Sequence, residues 1–129
     1  MHQQVCDYLK LRYPQVIFRT DFASGLKLPP AVAALHSRLQ SDKSWPDLQI
    51  AEPSHVLYGN YSNLYIELKA PDVVLYKQDG KLRKNPHIEA QAEMLQKLRD
   101  RGYKAEFAVG FDAARKLIDE YLTGGSPLF

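Results

Sequence analysis

Asp47, which follows a proline, and the Glu67-x-Lys69 pair about twenty residues later are the residues whose types and spacing can do chemistry in this chain. Leu64, Ile66 and Leu68 alternate with Tyr65, Glu67 and Lys69, the period-two pattern of a half-buried strand, which sends Glu67 and Lys69 to one face. Asp47 opens a second alternating run, Leu48-Gln49-Ile50, behind a proline that biases Trp45 toward extended backbone. Pairing the two strands brings Asp47 beside Glu67. Two carboxylates facing each other near a low-dielectric sheet repel, and a divalent cation, a shared proton or the neighbouring lysine relieves that cost. Hard oxygen ligands favour Mg2+ or Mn2+, with water and a substrate phosphate completing the shell. The chemistry implied is metal-assisted hydrolysis of a phosphate ester, in which the cation polarises the phosphate and activates a water. Lys69 then positions that water or stabilises developing negative charge. An isolated Glu-x-Lys is more often the solvated face of an ordinary strand, so the surrounding elements must carry the case.

Val5, Tyr8 and Leu9 lie at helical spacing in a segment that stops before Pro14, and residues 16–19 read as a short strand. Residues 21–28 form a loop around Gly25, and Pro29-Pro30 starts a helix with Val32, Leu35 and Leu39 on one face. After the two strands that carry the carboxylates, residues 73–76 look like a third strand of the same sheet, followed by a charged turn at Asp79-Gly80. Pro86 opens a helix that runs to about Arg101 and stops at Gly102. Residues 103–109 are a further strand, and Asp112 is placed to cap a last helix bearing Ala114, Leu117, Ile118 and Tyr121. Strands interleaved with helices around a hairpin-like centre predict an α/β fold, a mixed sheet flanked by α-helices. Residues 1–123 make one domain and residues 124–129 a loose tail.

The helix after Pro86 carries a second unusual feature. Met94, Leu95 and Leu98 define its apolar face, and Gln91 falls on that face. A glutamine there needs hydrogen-bond partners or costs about 1–3 kcal/mol; Lys69 or a water at the site is a candidate partner, and a glutamine at the rim that reaches solvent is the competing reading.

With 129 residues, 45% hydrophobic and 25% charged, the composition is that of an ordinary globular domain with room for a real core. A net charge of +2 announces no nucleic-acid partner by itself. Basic character is local: Lys77, Lys81, Arg83 and Lys84 cluster in one turn next to the Gln91 helix, and Lys27 lies in the loop before the double proline. Beside a phosphate-cleaving site these side chains would bind a DNA backbone without reading sequence; a turn kept soluble by its charges is the competing reading. Trp45 and Tyr65 are candidates to stack on an unpaired base, although aromatics flanking strands more often pack on a helix. The single cysteine, Cys6, excludes an intrachain disulfide framework and fits a reducing compartment. No signal peptide or membrane-spanning run is evident, His2, His36, His55 and His87 lack the spacing of a zinc site, and no phosphate-binding glycine loop calls for a nucleotide cofactor.

Together, the Pro-Asp strand, the Glu-Leu-Lys strand, the basic glycine-containing turn and the helix with an inward glutamine followed by Gly-Tyr-Lys-Ala resemble the VRR-NUC group of the PD-(D/E)XK nuclease superfamily. The likeness spans residues 5–122, is closest over 77–121, and points to the short standalone type common in phages and prophages. It implies a restriction-endonuclease-like core in the cytoplasm of a bacterial host. It further implies Asp47 and Glu67 as metal ligands, the Leu68 backbone carbonyl as another, Lys69 as the catalytic lysine and Gln91 as the accessory residue. The expected protein is a homodimer that uses Mg2+ or Mn2+ on branched DNA such as four-way junctions. Family members often carry an acidic residue at the start of the first helix, where this chain has Gln3 and Gln4, and neutral glutamine is a weaker metal ligand. The alternative is therefore a catalytically weak DNA-binding or assembly module on a nuclease fold.

Overall fold

A computed structural model describes residues 1–21 and 27–125. Most of the loop expected over residues 21–28, and residues 126–129 of the expected tail, lie outside the described residues. The chain runs α1 (His2–Arg12), β1 (Phe18–Thr20), α2 (Pro30–Arg38), β2 (Leu48–Ile50), β3 (Leu64–Lys69), α3 (Pro86–Asp100), β4 (Lys104–Val109) and α4 (Phe111–Thr123). The strands form one mixed sheet in the order β1-β2-β3-β4, antiparallel up to β3 and parallel between β3 and β4. A parallel pair needs a crossover, and α3 supplies it. The α/β expectation therefore holds.

Directly opposed residues share a face, so the register sorts the strands by parity. Phe18, Ile50 and Leu64 align in one row, and Thr20, Leu48 and Ile66 in the next. These even positions, with Leu68 and Ala108, meet Val5 and Leu9 of α1 and Ala114, Ile118 and Tyr121 of α4 in the larger core. The odd positions Tyr65 and Ala105 meet Met94, Leu95 and Leu98 of α3 in a smaller one. Each fully buried large apolar side chain contributes on the order of 1.5–3 kcal/mol, so both faces hold the sheet. That leaves β3 buried on both sides through Leu68, where the alternating sequence predicts a half-buried strand. A central strand covered on both faces is the reason.

Three other expectations change. Residues 73–76 are not a strand of the sheet: only Tyr76 pairs, in an isolated bridge to Leu82. β3 already has β2 on one side and β4 on the other, so no edge remains for it beside the motif strand, and residues 75–83 instead form a narrow excursion tied by Lys77 N–H to Lys81 O and Arg83 N–H to Leu75 O. α2 is a helix, but its apolar residues face out: Val32 and Leu35 are exposed, Leu39 lies past its end, and none of its residues is buried. Its His36, and Gln40 just past its end, line a cleft over the sheet instead. Asp112 is not a cap. α4 starts two residues earlier, at Phe111 behind Gly110, whose φ of 84° suits glycine, and Asp112 sits in the first turn, where a carboxylate favours the helix dipole.

Candidate active site

The odd face of the sheet is where polar groups collect. The Asp21 N–H donates to the Asp47 carbonyl at 2.9 Å, continuing the β1-β2 ladder by one residue. The β2-β3 register, continued likewise, sets Asp47 opposite Glu67. Asp21, Asp47 and Glu67 thus form a row across three strands, flanked by the row Arg19, Gln49, Tyr65.

Asp47 is only 4% exposed, and the Leu68 N–H donating to its Oδ2 at 2.9 Å offsets the cost of that burial. The same contact fixes how β2 sits against Leu68, whose side chain belongs to the larger core. Glu67, also buried, accepts from Gln91 Nε2 at 2.9 Å, and Lys69 Nζ donates to Gln91 Oε1. One amide therefore ties acid to amine from across the interface with α3. Local sequence sets that aim: Pro86 occupies the first helical turn, and the Asn85 side chain accepts from the His87 and Ile88 N–H groups, which fixes the helix start five or six residues before Gln91.

Electrostatically the pair is under tension. Burial, and then the adjacent Asp47 carboxylate, push the Glu67 carboxyl up to about 9 against the opposing pull of Lys69. Without a cation, Glu67 therefore holds its proton at neutral pH. A divalent ion replacing that proton fits this donor set, since it relieves the repulsion that burial magnifies. Among the described residues no group of three or more His, Cys, Asp or Glu side chains gathers to hold an ion. Two carboxylates with room for water are the donor set suited to magnesium, not a closed zinc site.

Two of the histidines that lack the spacing of a zinc site nevertheless stand at this site. His2 Nε2 lies 3.6 Å from Asp47 Oδ1, and His87 Nε2 lies 3.2 Å from Gln91 Nε2. α1 presents His2 from a fixed position, because the Tyr8 and Tyr13 hydroxyls both donate to Asp119 Oδ1 on α4, at 2.5 and 2.6 Å. Asp21 is the third residue that sequence reasoning passes over. The signal for it was the β1-β2 register, which needs both strand ends to be known.

Beside Asp47 a cleft of about 450 Å³ opens between α2, β1 and β2, and a second of about 230 Å³ reaches Gln91 and His87; Asp21, His36, Gln40 and Trp45 wall both. Lys77, Lys81, Arg83 and Lys84 are placed, all exposed, on the excursion that leaves the sheet after Lys69 and ends where Pro86 opens α3. Lys27 is exposed ahead of α2, and no hydrogen bond or ion pair among the described residues ties it to the site. No helix among the described residues is long and apolar enough to cross a membrane.

No protein-family model matches the sequence, and no curated protein does. Among solved structures, a VRR_NUC domain protein aligns with a TM-score of 0.62 and 25% sequence identity, over 97% of this chain and 87% of that chain.

Proposed function

We propose that this chain, which belongs to the VRR-NUC family of nucleases, is a metal-dependent DNA endonuclease that hydrolyses phosphodiester bonds, with branched DNA such as four-way junctions as its substrate. The observation that carries the reading is the buried Asp47–Glu67 pair linked through Gln91 to Lys69. Asp47 and Glu67 would hold Mg2+ or Mn2+, with the Leu68 carbonyl as a further oxygen. Such an ion supplies Lewis-acid polarisation of the scissile phosphate and lowers the pKa of water.

The chain's own groups do the rest. Lys69 stabilises negative charge growing on the phosphate and orients the attacking water. Gln91 is a positioning residue: its amide fixes Lys69 and Glu67 relative to each other before substrate arrives. Lys77, Lys81, Arg83, Lys84 and Lys27 would contact the phosphate backbone. A homodimer would offer two such sites to a branched substrate.

The reading as a DNA-binding or assembly module draws on one observation, that among the described residues no group of three or more His, Cys, Asp or Glu side chains gathers at the site. The deciding experiment is cleavage of labelled linear, flapped and four-way-junction DNA in magnesium or manganese, with Asp47→Ala as control. Cutting that requires metal and disappears in Asp47→Ala supports the endonuclease. DNA binding without cutting by the wild type, in every metal and on every substrate, refutes it in favour of the module.

A further inference from the structure

We propose that the cleft beside Asp47 receives one nucleotide of the substrate, unpaired and turned out of its stack, next to the phosphate that is cut. This rests on the endonuclease reading and specifies what that site accepts.

The cleft exists because α3 covers only the β3-β4 half of the odd face, while α2 stands over the β1-β2 half with its half-buried His36 and the following Gln40 toward the sheet. Its volume of about 450 Å³ lies in the range of about 300–1,000 Å³ typical of sites that enclose a small organic ligand. A duplex does not enter a space of that size, whereas one nucleotide does. Asp47 forms part of the wall, so a phosphate held at the carboxylates has an adjoining nucleoside within reach of the cleft.

The wall chemistry matches the parts of a nucleotide. Trp45 is half-buried and offers an aromatic surface, packed at a ring distance of 6.2 Å against Tyr65, which lines the same cleft. Every base has a face to stack on such a ring. Gln49 commits its amide N–H groups to Asn63 Oδ1 at 3.1 Å and the Tyr65 hydroxyl at 3.3 Å. Its carbonyl oxygen accepts no hydrogen bond among the described residues and is available to an exocyclic amine. His36, whose two ring nitrogens both lie against Gln40 Nε2, at 2.8 and 3.0 Å, adds an imidazole to the wall whose hydrogen-bonding role follows its tautomer. Arg19 is exposed and has no ion-pair partner among the described residues, which suits a flanking phosphate. A paired base has its edge hydrogen bonds already made and its faces stacked, so only an unpaired one can exchange them for these groups.

Trp45 is the only tryptophan of the chain, and its emission reports directly on the cleft. The protein, in chelator to prevent cutting, is titrated with duplexes of equal length that are either fully paired or carry a one-nucleotide gap or flap, while anisotropy follows binding. The expected result is a Trp45 emission change only with the unpaired substrates, saturating together with binding. A His36→Ala, Gln49→Leu double variant should weaken their affinity by about tenfold and that of the paired duplex by roughly twofold or less. Both side chains are only partly buried, and circular dichroism verifies the fold. Binding of unpaired DNA with unchanged Trp45 emission, or equal weakening of both substrate types, overturns the proposal while Asp47-dependent cleavage keeps the endonuclease reading. Absence of DNA binding and cleavage overturns both.

Discussion

Replacing Glu67 by glutamine should make the metal-free protein more stable while removing its response to metal. In the folded chain burial and Asp47 push the Glu67 carboxyl up to about 9, from an ordinary value of 4.5. The folded state thus binds this proton more tightly than the unfolded chain. The stabilising contribution of the protonated acid is complete below about 4.5 and fades progressively as pH rises through about 9. One proton of linkage costs about 1.4 kcal/mol per pH unit, so the wild type loses at most about 4 kcal/mol between pH 6 and 9. Relaxation of the new charge toward the cleft and Lys69 brings the expected loss to about 2 kcal/mol. Glutamine has nearly the same shape, does not titrate, and keeps a carbonyl oxygen for Gln91 Nε2, the donor to Glu67 at 2.9 Å. Urea unfolding of both proteins in chelator across pH 6–9 measures the difference, in which all other titrating groups cancel. The expected outcome is a stability gap that widens in favour of Glu67→Gln as pH rises, with added magnesium raising the stability of the wild type alone. Parallel pH curves would refute the argument, because the Asp47–Glu67 contact would then cost the folded state nothing.

Lys69→Met should slow cleavage by about 10²–10³-fold, the scale of removing one transition-state donor, while DNA affinity measured in chelator changes little. Gln91→Leu strips Glu67 and Lys69 of their shared partner and should cost about 1–3 kcal/mol of stability by urea unfolding, together with a fall in kcat larger than any change in KM. Reversing the charges of Lys81, Arg83 and Lys84 should weaken binding to all DNA sequences alike. It should also flatten the plot of log affinity against log salt by about 0.9 for each phosphate that is no longer neutralised. Unchanged affinity would take the excursion out of the DNA path.

Most of the fold was legible in the chain because period-two and helical spacing each report which side of an element is covered. The alternation in Leu64–Lys69 predicts that Glu67 and Lys69 share a face, and they do, both meeting Gln91 from α3. Gln91 was conspicuous for the same reason, a polar group among Met94, Leu95 and Leu98. Spacing is silent about what lies opposite. Val32 and Leu35 have the periodicity of a core-facing stripe, yet the sheet beneath α2 presents polar groups, so the stripe turns outward. Residues 73–76, Val-Val-Leu-Tyr, have the composition of a strand, but whether a strand forms depends on a free edge, which is a property of the whole sheet. His2 and Asp21 reach the site through tertiary register, and nothing in their neighbours foretells it.

The excursion between Lys69 and Pro86 has a consequence for how such a protein changes over generations. Its ends are pinned, the Gly110 N–H bonding the Lys69 carbonyl at one end and Asn85 capping α3 at the other, while its middle rests on a single buried residue, Leu75. Lengthening, shortening or recharging that middle leaves Asp47, Glu67, Lys69 and Gln91 where they are. If the excursion grips DNA as proposed, innovation in what is gripped is uncoupled from innovation in how it is cut, and lineages that share the carboxylates can diverge first, and most, in this one segment.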